Sequence, residues 1–272
     1  MNGMARTSRL DNKKGGCLNK VIRTLIENKI LFLIASLLTY VFYGTLVGVS
    51  LMPSACIVHA YAAHAGFGSV SRVLIFAIIL GLSLHVFWIT SLLVFGVVER
   101  LMTLGIKPGQ YEKYSVTSVR WLVYSGLHVL LINMTLHYMI GTPFAEFYFR
   151  LIGVKMGKNV FINSIKIFDP YLLELGDNVV VGGFAQITCH IFEGNRLILG
   201  KVSIGSNTLI CAETFIMPGV EIGSCCNIGV CSHVRKNKKI PDNSIIMAMP
   251  GVSPQKIAAM MKGGEKQDSP RK

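Results

Sequence analysis

Charged residues are scarce in this chain, and acidic residues are the scarcest of them. Of 272 residues only 15% are charged, and 27 Lys and Arg stand against 14 Asp and Glu, while hydrophobic residues make up 51%. An ordinary soluble domain carries about 25% charged residues. The composition therefore excludes a conventional soluble fold for the entire chain and indicates that part of it lies in a membrane.

Paired cysteines are also lacking. The seven cysteines are odd in number, two of them are the neighbours Cys225 and Cys226, and no C-x-x-C pair occurs anywhere. Small disulfide-stabilised domains and zinc ribbons both need regularly paired cysteines. We therefore expect reduced thiols, no disulfide framework and no bound metal.

Two long segments contain no Asp, Glu, Lys or Arg. They are residues 30–52 and 73–98, and the second holds His85 as its one ionisable group. At ~1.5 Å per residue, a helix over either segment is longer than the ~30 Å hydrocarbon core of a bilayer. The sequence predicts a transmembrane region over residues 30–118 with these two spans, preceded by a basic tail at residues 1–29.

A third apolar segment, residues 121–140, carries more polar groups. His128, Asn133 and His137 lie within it, and Arg120 precedes it. Such a polar content favours an interfacial or re-entrant helix and linker over residues 119–150. A third membrane span stays the alternative, and it would place the C-terminal half on the opposite side.

The distribution of positive charge predicts the orientation. The segment 53–71 between the two spans has no Lys or Arg, and Arg72 follows it directly. The N-terminal segment is rich in positive residues: Arg6, Arg9, Lys13, Lys14, Lys20, Arg23 and Lys29. Because positive residues remain inside, two spans put the N-terminus and the C-terminal half in the cytoplasm. The basic clusters lack interleaved aromatic residues, so we expect anionic membrane lipids as partners and no nucleic acid.

The C-terminal half has a repeat of six residues. Aliphatic residues recur at this interval, at Ile204, Ile210, Ile216, Ile222, Ile228, Val234, Ile240 and Ile246. Small residues follow four positions later in most steps, at Thr208, Thr214, Val220, Cys226, Ser232 and Ser244. Neither an α-helix nor a flat strand has this period; a coil with three sides and a turn of roughly 18 residues does. We expect Gly205, Gly223 and Gly229 to lie where the backbone turns a corner.

The repeat is interrupted once. An earlier stretch follows the same pattern at Leu175, Val181 and Ile187, but Ile187 and Ile204 are 17 residues apart, one short of a multiple of six. We therefore expect the intervening segment around residues 190–196 to leave the coil.

These residues resemble the hexapeptide-repeat acyltransferases. The run Ile216-Met217-Pro218-Gly219-Val220-Glu221-Ile222-Gly223 is similar to the I-x-P-G-V-x-I-G run of that family, and residues 248–257 are similar to its terminal segment. The resemblance implies a left-handed parallel β-helix over residues 151–251 and a short C-terminal helix and tail at 252–272. It also implies a homotrimer with active sites between subunits, and an acyl donor that is a coenzyme A or carrier-protein thioester.

His190 is the candidate general base. Acyl transfer needs a group that accepts a proton from the attacking hydroxyl or amine near neutral pH, and histidine suits that task. His190 stands where the coil is interrupted, the position of the catalytic histidine in the family that the chain resembles. Glu193 is our candidate for orienting the imidazole. The resemblance assigns contacts with the donor to four further residues: Lys236, Ala248, Pro250 and Lys256.

A narrower resemblance concerns the helical half as well. Residues 141–157 and 186–193 look like the membrane-embedded C-terminal modules of non-ribosomal peptide synthetase-like proteins of the poly-lysine synthetase type. These modules also combine spanning helices with hexapeptide repeats. The resemblance implies that the chain joins an acyl group to an amine or hydroxyl acceptor.

Two alternatives remain open at this point. The same repeat also builds γ-carbonic-anhydrase-like metal enzymes and non-catalytic scaffolds, since a fold does not fix a function. A zinc site would need three converging histidines, and only His190 and His233 lie on the coil. His233 is also the rival of His190 as the base.

Overall fold

The computed structural model describes residues 16–64 and 69–247, which form a helical half followed by a parallel β-helix. The helices are α1 (Gly16–Glu27), α2 (Lys29–His64), α3 (Val70–Thr103), α4 (Val116–Leu131), α5 (His137–Met139) and α6 (Pro143–Ile152). A π-helical turn, Ile132–Leu136, joins α4 to α5. The segments 30–52 and 73–98 lie inside α2 and α3, and α2 continues through Pro53 to His64. The predicted C-terminal helix at 252–272 lies outside the described residues.

Helices α2 and α3 form a long antiparallel hairpin held by polar groups. The Ser54 hydroxyl donates to the carbonyl of Ser83 at 2.6 Å, and the Thr90 hydroxyl donates to the carbonyl of Ser50 at 2.6 Å. Small hydroxylated residues allow close approach of helices in an apolar surrounding. The outer faces are apolar, with Tyr40 71% exposed. Together with residues 116–139, these are three helices long and apolar enough to cross a membrane.

The β-helix contains three parallel sheets. Their strands are β2 (Lys155–Met156), β3 (Phe161–Ile162), β4 (Ile167–Phe168), β5 (Leu173–Leu175), β6 (Val180–Val181), β7 (Gln186–Thr188), β10 (Val202–Ile204), β11 (Leu209–Ile210), β12 (Phe215–Ile216), β13 (Glu221–Ile222), β14 (Asn227–Ile228), β15 (His233–Val234), β16 (Lys239–Ile240) and β17 (Ile245–Ile246). Ile204 pairs with Ile222, and Ile222 pairs with Ile240. The predicted turn of 18 residues is therefore confirmed.

The interior of the coil is filled as the repeat predicts. The aliphatic positions from Ile204 to Ile240 are buried, as are the small residues Thr208, Thr214, Val220, Cys226 and Ser232. Each side of the triangle therefore contributes two side chains to the interior, one aliphatic residue from its strand and one small residue four positions later. The aliphatic column is therefore the hydrophobic core of this half.

The glycines that follow the aliphatic positions lie at the corners of the coil, as we expected, and also allow neighbouring coils to stack closely. Positive φ angles occur at other residues, including Asn207 and Asn243, where asparagine tolerates the left-handed conformation. At Gly205 an added Cβ would lie 2.6 Å from the backbone nitrogen of Ser224 in the next coil. Gly205, Gly223 and Gly229 each directly precede the turn at a corner, and their lack of a Cβ allows the close stacking of coils there.

The interruption of the repeat is an antiparallel hairpin. Strands β8 (His190–Glu193) and β9 (Arg196–Leu199) leave the coil and pair with each other. Strand β1 (Gly109–Glu112), from the connection between α3 and α4, pairs with β9. The hairpin therefore joins the β-helix to the helical half at the position where the phase slip predicts an excursion.

Candidate functional site

The imidazole of His190 contacts a carboxylate from the preceding coil. Strand β4 pairs with β7 in a register that sets Phe168 beside Thr188. The residues that follow these two strands are therefore neighbours, and His190 Nδ1 is hydrogen-bonded to Asp169 Oδ2. Because a carboxylate only accepts, Nδ1 carries the proton, and Nε2 is left to accept one.

Asp169 is held by a second donor from the helical half. Its side chain is 2% exposed, and its Oδ1 accepts a hydrogen bond from the indole Nε1 of Trp121 at 2.7 Å. The Trp121 ring also meets the His190 ring edge to face, with centroids 4.7 Å apart. The site thus combines a helix residue, a residue of one coil and the first residue of the hairpin.

The imidazole remains accessible although its partner is buried. The His190 side chain is 24% exposed, against 2% for Asp169. A buried carboxylate behind a partly exposed imidazole fixes the tautomer and the ring orientation while leaving the reactive nitrogen reachable. This arrangement can remove a proton from a hydroxyl or amine.

Other ionisable groups near the pair are kept neutral. Cys189 is fully buried, and burial together with the charge of Asp169 holds the pKa of its thiol well above the usual range. Burial and the same carboxylate also raise the pKa of the Tyr171 hydroxyl. A thiol that stays protonated is a poor nucleophile. His190 is therefore better suited to the chemistry than its neighbour Cys189.

Glu193 does not take the place that we expected for it. The carboxylate on His190 Nδ1 is that of Asp169, while Glu193, at the far end of β8, forms an ion pair with Lys236. Strand β8 carries Glu193 away from the imidazole because the hairpin extends outward from the coil. The expectation that Glu193 orients His190 is corrected in favour of Asp169.

Of the remaining predicted site residues, the structure describes only Lys236 and the rival base His233. Lys236 contacts Glu193 on the outer surface, and Ala248, Pro250 and Lys256 lie outside the described residues. His233 is exposed on β15 and packs edge to face on Phe215 at 5.1 Å. Within residues 16–64 and 69–247, no three His, Cys, Asp or Glu side chains are grouped to hold a metal ion.

Two residues of the site, Asp169 and Trp121, are not among those that we expected from the sequence. Asp169 precedes His190 by 21 residues, about one coil, so the length of the coil could have identified it. Trp121 lies 48 residues before Asp169 in another half of the chain, and the six-residue repeat carries no information about it.

Comparison with known proteins identifies relatives in several bacteria. No family model matches the chain. A delta-poly-L-ornithine synthetase of Acinetobacter baumannii is 26% identical over 117 residues, 43% of this chain and 9% of that protein. YvoF of Bacillus subtilis, a candidate acetyltransferase, is 28% identical over 106 residues, 38% of this chain and 60% of YvoF. The chain thus spans less than two thirds of the length of both relatives.

One relative is covered more fully. WcaF of Escherichia coli, a candidate colanic acid biosynthesis acetyltransferase, is 32% identical over 131 residues, which are 39% of this chain and 71% of WcaF. Among solved structures, a hexapeptide-repeat acetyltransferase of Vibrio cholerae complexed with acetyl coenzyme A is 17% identical, with a TM-score of 0.41; 56% of this chain and 94% of that one are covered. A maltose O-acetyltransferase of Clostridium difficile is 23% identical, with a TM-score of 0.42; 56% and 93% are covered.

Proposed function

The chain belongs to the hexapeptide-repeat acetyltransferases, and we propose that it is a membrane-anchored member that transfers an acyl group from a thioester to a hydroxyl or amine. The observation that carries this proposal is the hydrogen bond of His190 to the buried Asp169, at the point where the coil is interrupted. We propose coenzyme A as the donor, since acetyl coenzyme A is bound in the related enzyme of Vibrio cholerae. A carrier-protein thioester is the alternative donor.

His190 acts as the base in this mechanism. Its Nε2 accepts the proton of the acceptor hydroxyl or amine while the acceptor atom forms a bond to the thioester carbonyl carbon. Asp169 stabilises the imidazolium that results. The tetrahedral intermediate then expels the thiolate, which takes the proton back from Nε2. The ester or amide and the free thiol are the products, and the histidine returns to its starting state.

The proposal also includes a role for Lys236 in binding the donor and assembly of the chain into a homotrimer. A lysine near the end of the β-helix is suited to the phosphates of a nucleotide-bearing thioester. In this chain Lys236 pairs with Glu193, both partly exposed, so a phosphate can replace the carboxylate without uncovering a buried charge. We propose that the donor binds between subunits of a homotrimer, as the family implies.

The test of the function uses the purified full-length protein with radiolabelled acetyl coenzyme A and a panel of hydroxyl and amine acceptors. We expect His190→Ala to lower the transfer rate by about 10²–10⁴-fold, the usual contribution of a general base. The matched control is His233→Ala, which keeps the histidine of the hairpin. Loss of activity in the control with full activity in His190→Ala would assign the base to His233, and no transfer by the unchanged protein would reject the function.

We also propose that α2 and α3 cross the membrane and that the segment 119–150 re-enters it from one side. At the start of this segment the Arg120 guanidinium donates to the carbonyls of Leu101 and Leu104, at the end of α3. The segment then runs along α3 until Tyr138 stacks on Trp88, with centroids 4.9 Å apart.

The end of the segment 119–150 lies beside the same end of α3 as its start. Gly153, just after α6, lies against the guanidinium of Arg100, so that a side chain at this position would collide with it. The chain therefore enters and leaves the segment beside the same end of α3. This geometry supports two spans, with α1 and the β-helix on one side, which the positive charge of the N-terminal segment assigns to the cytoplasm.

Native thiols provide the test of this topology. Cys225 and Cys231 are exposed on the β-helix. In a Cys56→Ser variant, which lacks the exposed thiol between the two spans, a membrane-impermeant maleimide should label them in inside-out vesicles and leave them unlabelled in intact cells. Labelling in intact cells would place the β-helix outside and require three spans.

A further inference from the structure

The indole nitrogen of Trp121 makes a hydrogen bond that packing alone does not require. Trp121 is buried on α4, and its Nε1 donates to Oδ1 of Asp169 at 2.7 Å, while His190 occupies Oδ2 of the same carboxylate. A carboxylate with a donor on each oxygen has its plane fixed in relation to both donors. Loss of one donor would leave a buried charged oxygen unsatisfied and free the group to rotate.

We infer that Trp121 is a positioning residue for the proposed acyl transfer and that the helical half therefore completes the active site. The inference rests on the proposed function of His190 and extends it to a residue of α4. Trp121 acts through Asp169: it holds the carboxylate at the angle that keeps the proton on His190 Nδ1 and directs the imidazole.

A second contact fixes the same helix to the same strand. His128, two turns further along α4, donates from Nε2 to the carbonyl of Ile167 at 2.9 Å. Ile167 is in β4, two residues before Asp169. The other nitrogen of His128 contacts Glu99 of α3 at 3.1 Å and the Tyr148 hydroxyl of α6 at 2.9 Å. Helices α3, α4 and α6 thus meet at one buried group.

These contacts set the position of the Trp121 nitrogen. On α4, Trp121 and His128 are seven residues apart and face the same strand, about 10 Å from each other along the axis. The helix is consequently attached at β4 and directly after it, by one contact to the carbonyl of Ile167 and one to the side chain of Asp169. The distance between the indole nitrogen and the carboxylate depends on the packing of the whole helical half.

The experiment removes the donor and keeps the shape. Benzothienylalanine, in which sulfur replaces the indole N–H, is placed at position 121 of the full-length protein by stop-codon suppression. With acetyl coenzyme A as the donor we expect kcat to fall about 10- to 100-fold, the range for loss of an outer hydrogen-bond partner of a functional side chain. KM for acetyl coenzyme A should change less than about twofold, because Trp121 orients the base and does not bind the donor.

A spectroscopic measurement tests the same inference without catalysis. In protein labelled with ¹⁵N at histidine, the His190 Nδ1 proton bonded to Asp169 should give a strongly downfield resonance, identified by its loss in Asp169→Asn. We expect the benzothienylalanine protein to lose or broaden this resonance. A resonance that keeps its position and width, or an unchanged kcat, would overturn the inference, as would absence of the resonance from the unchanged protein.

Trp88 supplies the matched control. It packs edge to face on His85 with centroids 4.9 Å apart, nearly the geometry of Trp121 on His190. Within the described part of the chain, no hydrogen bond from its nitrogen to a carboxylate is found. The same replacement at Trp88 should leave kcat and the His190 resonance unchanged. If the unchanged protein transfers no acyl group at all, the proposed function fails, while the resonance still tests the contact.

Discussion

The two halves of this protein differ in the ion pairs that they bury and in the apolar side chains that they expose. In the β-helix the core is a column of aliphatic residues such as Ile216, and the ion pairs, such as that of Glu221 with Lys239, lie on the surface. In the helical half Glu99 and His128 are buried, while residues such as Leu38 are exposed along α2. A core selected by water is apolar, whereas helices surrounded by hydrocarbon gain nothing from burying further apolar groups. The difference is the one expected if the β-helix lies in water and the helical half lies in a membrane, as we propose.

The candidate site lies where these two halves meet. Trp121 comes from the helical half, Asp169 from the first coils and His190 from the hairpin between them. A polar pair at this boundary is shielded by the helices on one side and open to substrates on the other. The largest effects should therefore follow from changes at the boundary.

Exchange of the carboxylates gives the sharpest test of the boundary. We expect Asp169→Asn to lower kcat about 10³- to 10⁴-fold, since an amide lets the imidazole adopt the wrong tautomer. The measurement is acetyl transfer by the full-length protein, with thermal unfolding as a check on folding. Glu193→Gln is the control and should keep kcat within about twofold. Equal losses in both variants would return the orienting role to Glu193.

The sequence predicts the β-helix well and the site only in part. A period of six residues indicates a three-sided coil, so the core column, the coil length and an excursion around residue 190 could be predicted from Ile187 and Ile204 onward, while the hairpin form of that excursion could not. A prediction of Asp169 requires knowing which residue of the neighbouring coil lies beside His190. Glu193 was the nearer acid in sequence, but a hairpin carries successive residues away from its base, whereas coils stack in register.

The contribution of the helical half could not be predicted from any local pattern. Hydrophobicity identifies α2 and α3 as apolar segments, but it does not specify which face of α4 meets the β-helix. That face is selected by the hydrogen bonds of Trp121 and His128, which join residues 48 and 39 positions apart. Long-range contacts of this kind depend on tertiary packing and leave no periodic signal.

Removal of a buried carboxylate should distinguish the two halves by stability. Glu99 is buried in contact with His128 and Tyr148, whose hydroxyl donates to its Oε2 at 2.7 Å. We expect Glu99→Ala to lower the free energy of unfolding by about 3–5 kcal/mol because it leaves these groups without their partner. The measurement is tryptophan fluorescence during unfolding of the detergent-solubilised protein.

The control for this prediction is the same substitution in the β-helix. Glu221 is half exposed in its pair with Lys239, and Glu221→Ala should cost at most about 1 kcal/mol. Equal losses at the two positions would contradict the view that the helical half depends on buried polar contacts.

For aliphatic residues we expect the larger loss of stability in the β-helix and the smaller loss in the helical half. Ile216 is fully buried in the middle coil, so we expect Ile216→Ala to lower the free energy of unfolding by about 2–4 kcal/mol through loss of burial and formation of a cavity. Leu38 is 65% exposed on α2, and Leu38→Ala should change it by less than about 0.5 kcal/mol in detergent. A large loss at Leu38 would indicate that another protein surface, and not lipid, covers this face of α2.

The smallest effect should be found at the surface of the β-helix, where charges remain available to a ligand. If Lys236 exchanges Glu193 for a phosphate of the donor, Lys236→Ala should raise KM for acetyl coenzyme A about three- to tenfold and leave kcat unchanged, since one exposed ionic contact is lost in ground and transition states alike. Lys239→Ala removes an equal charge from the pair with Glu221 and should leave KM unchanged. Glu193→Gln should not raise KM, because it removes the carboxylate that competes with the phosphate for Lys236. An equal rise of KM in the Lys236 and Glu193 variants would mean that their ion pair stabilises the hairpin. The donor phosphates would then bind elsewhere.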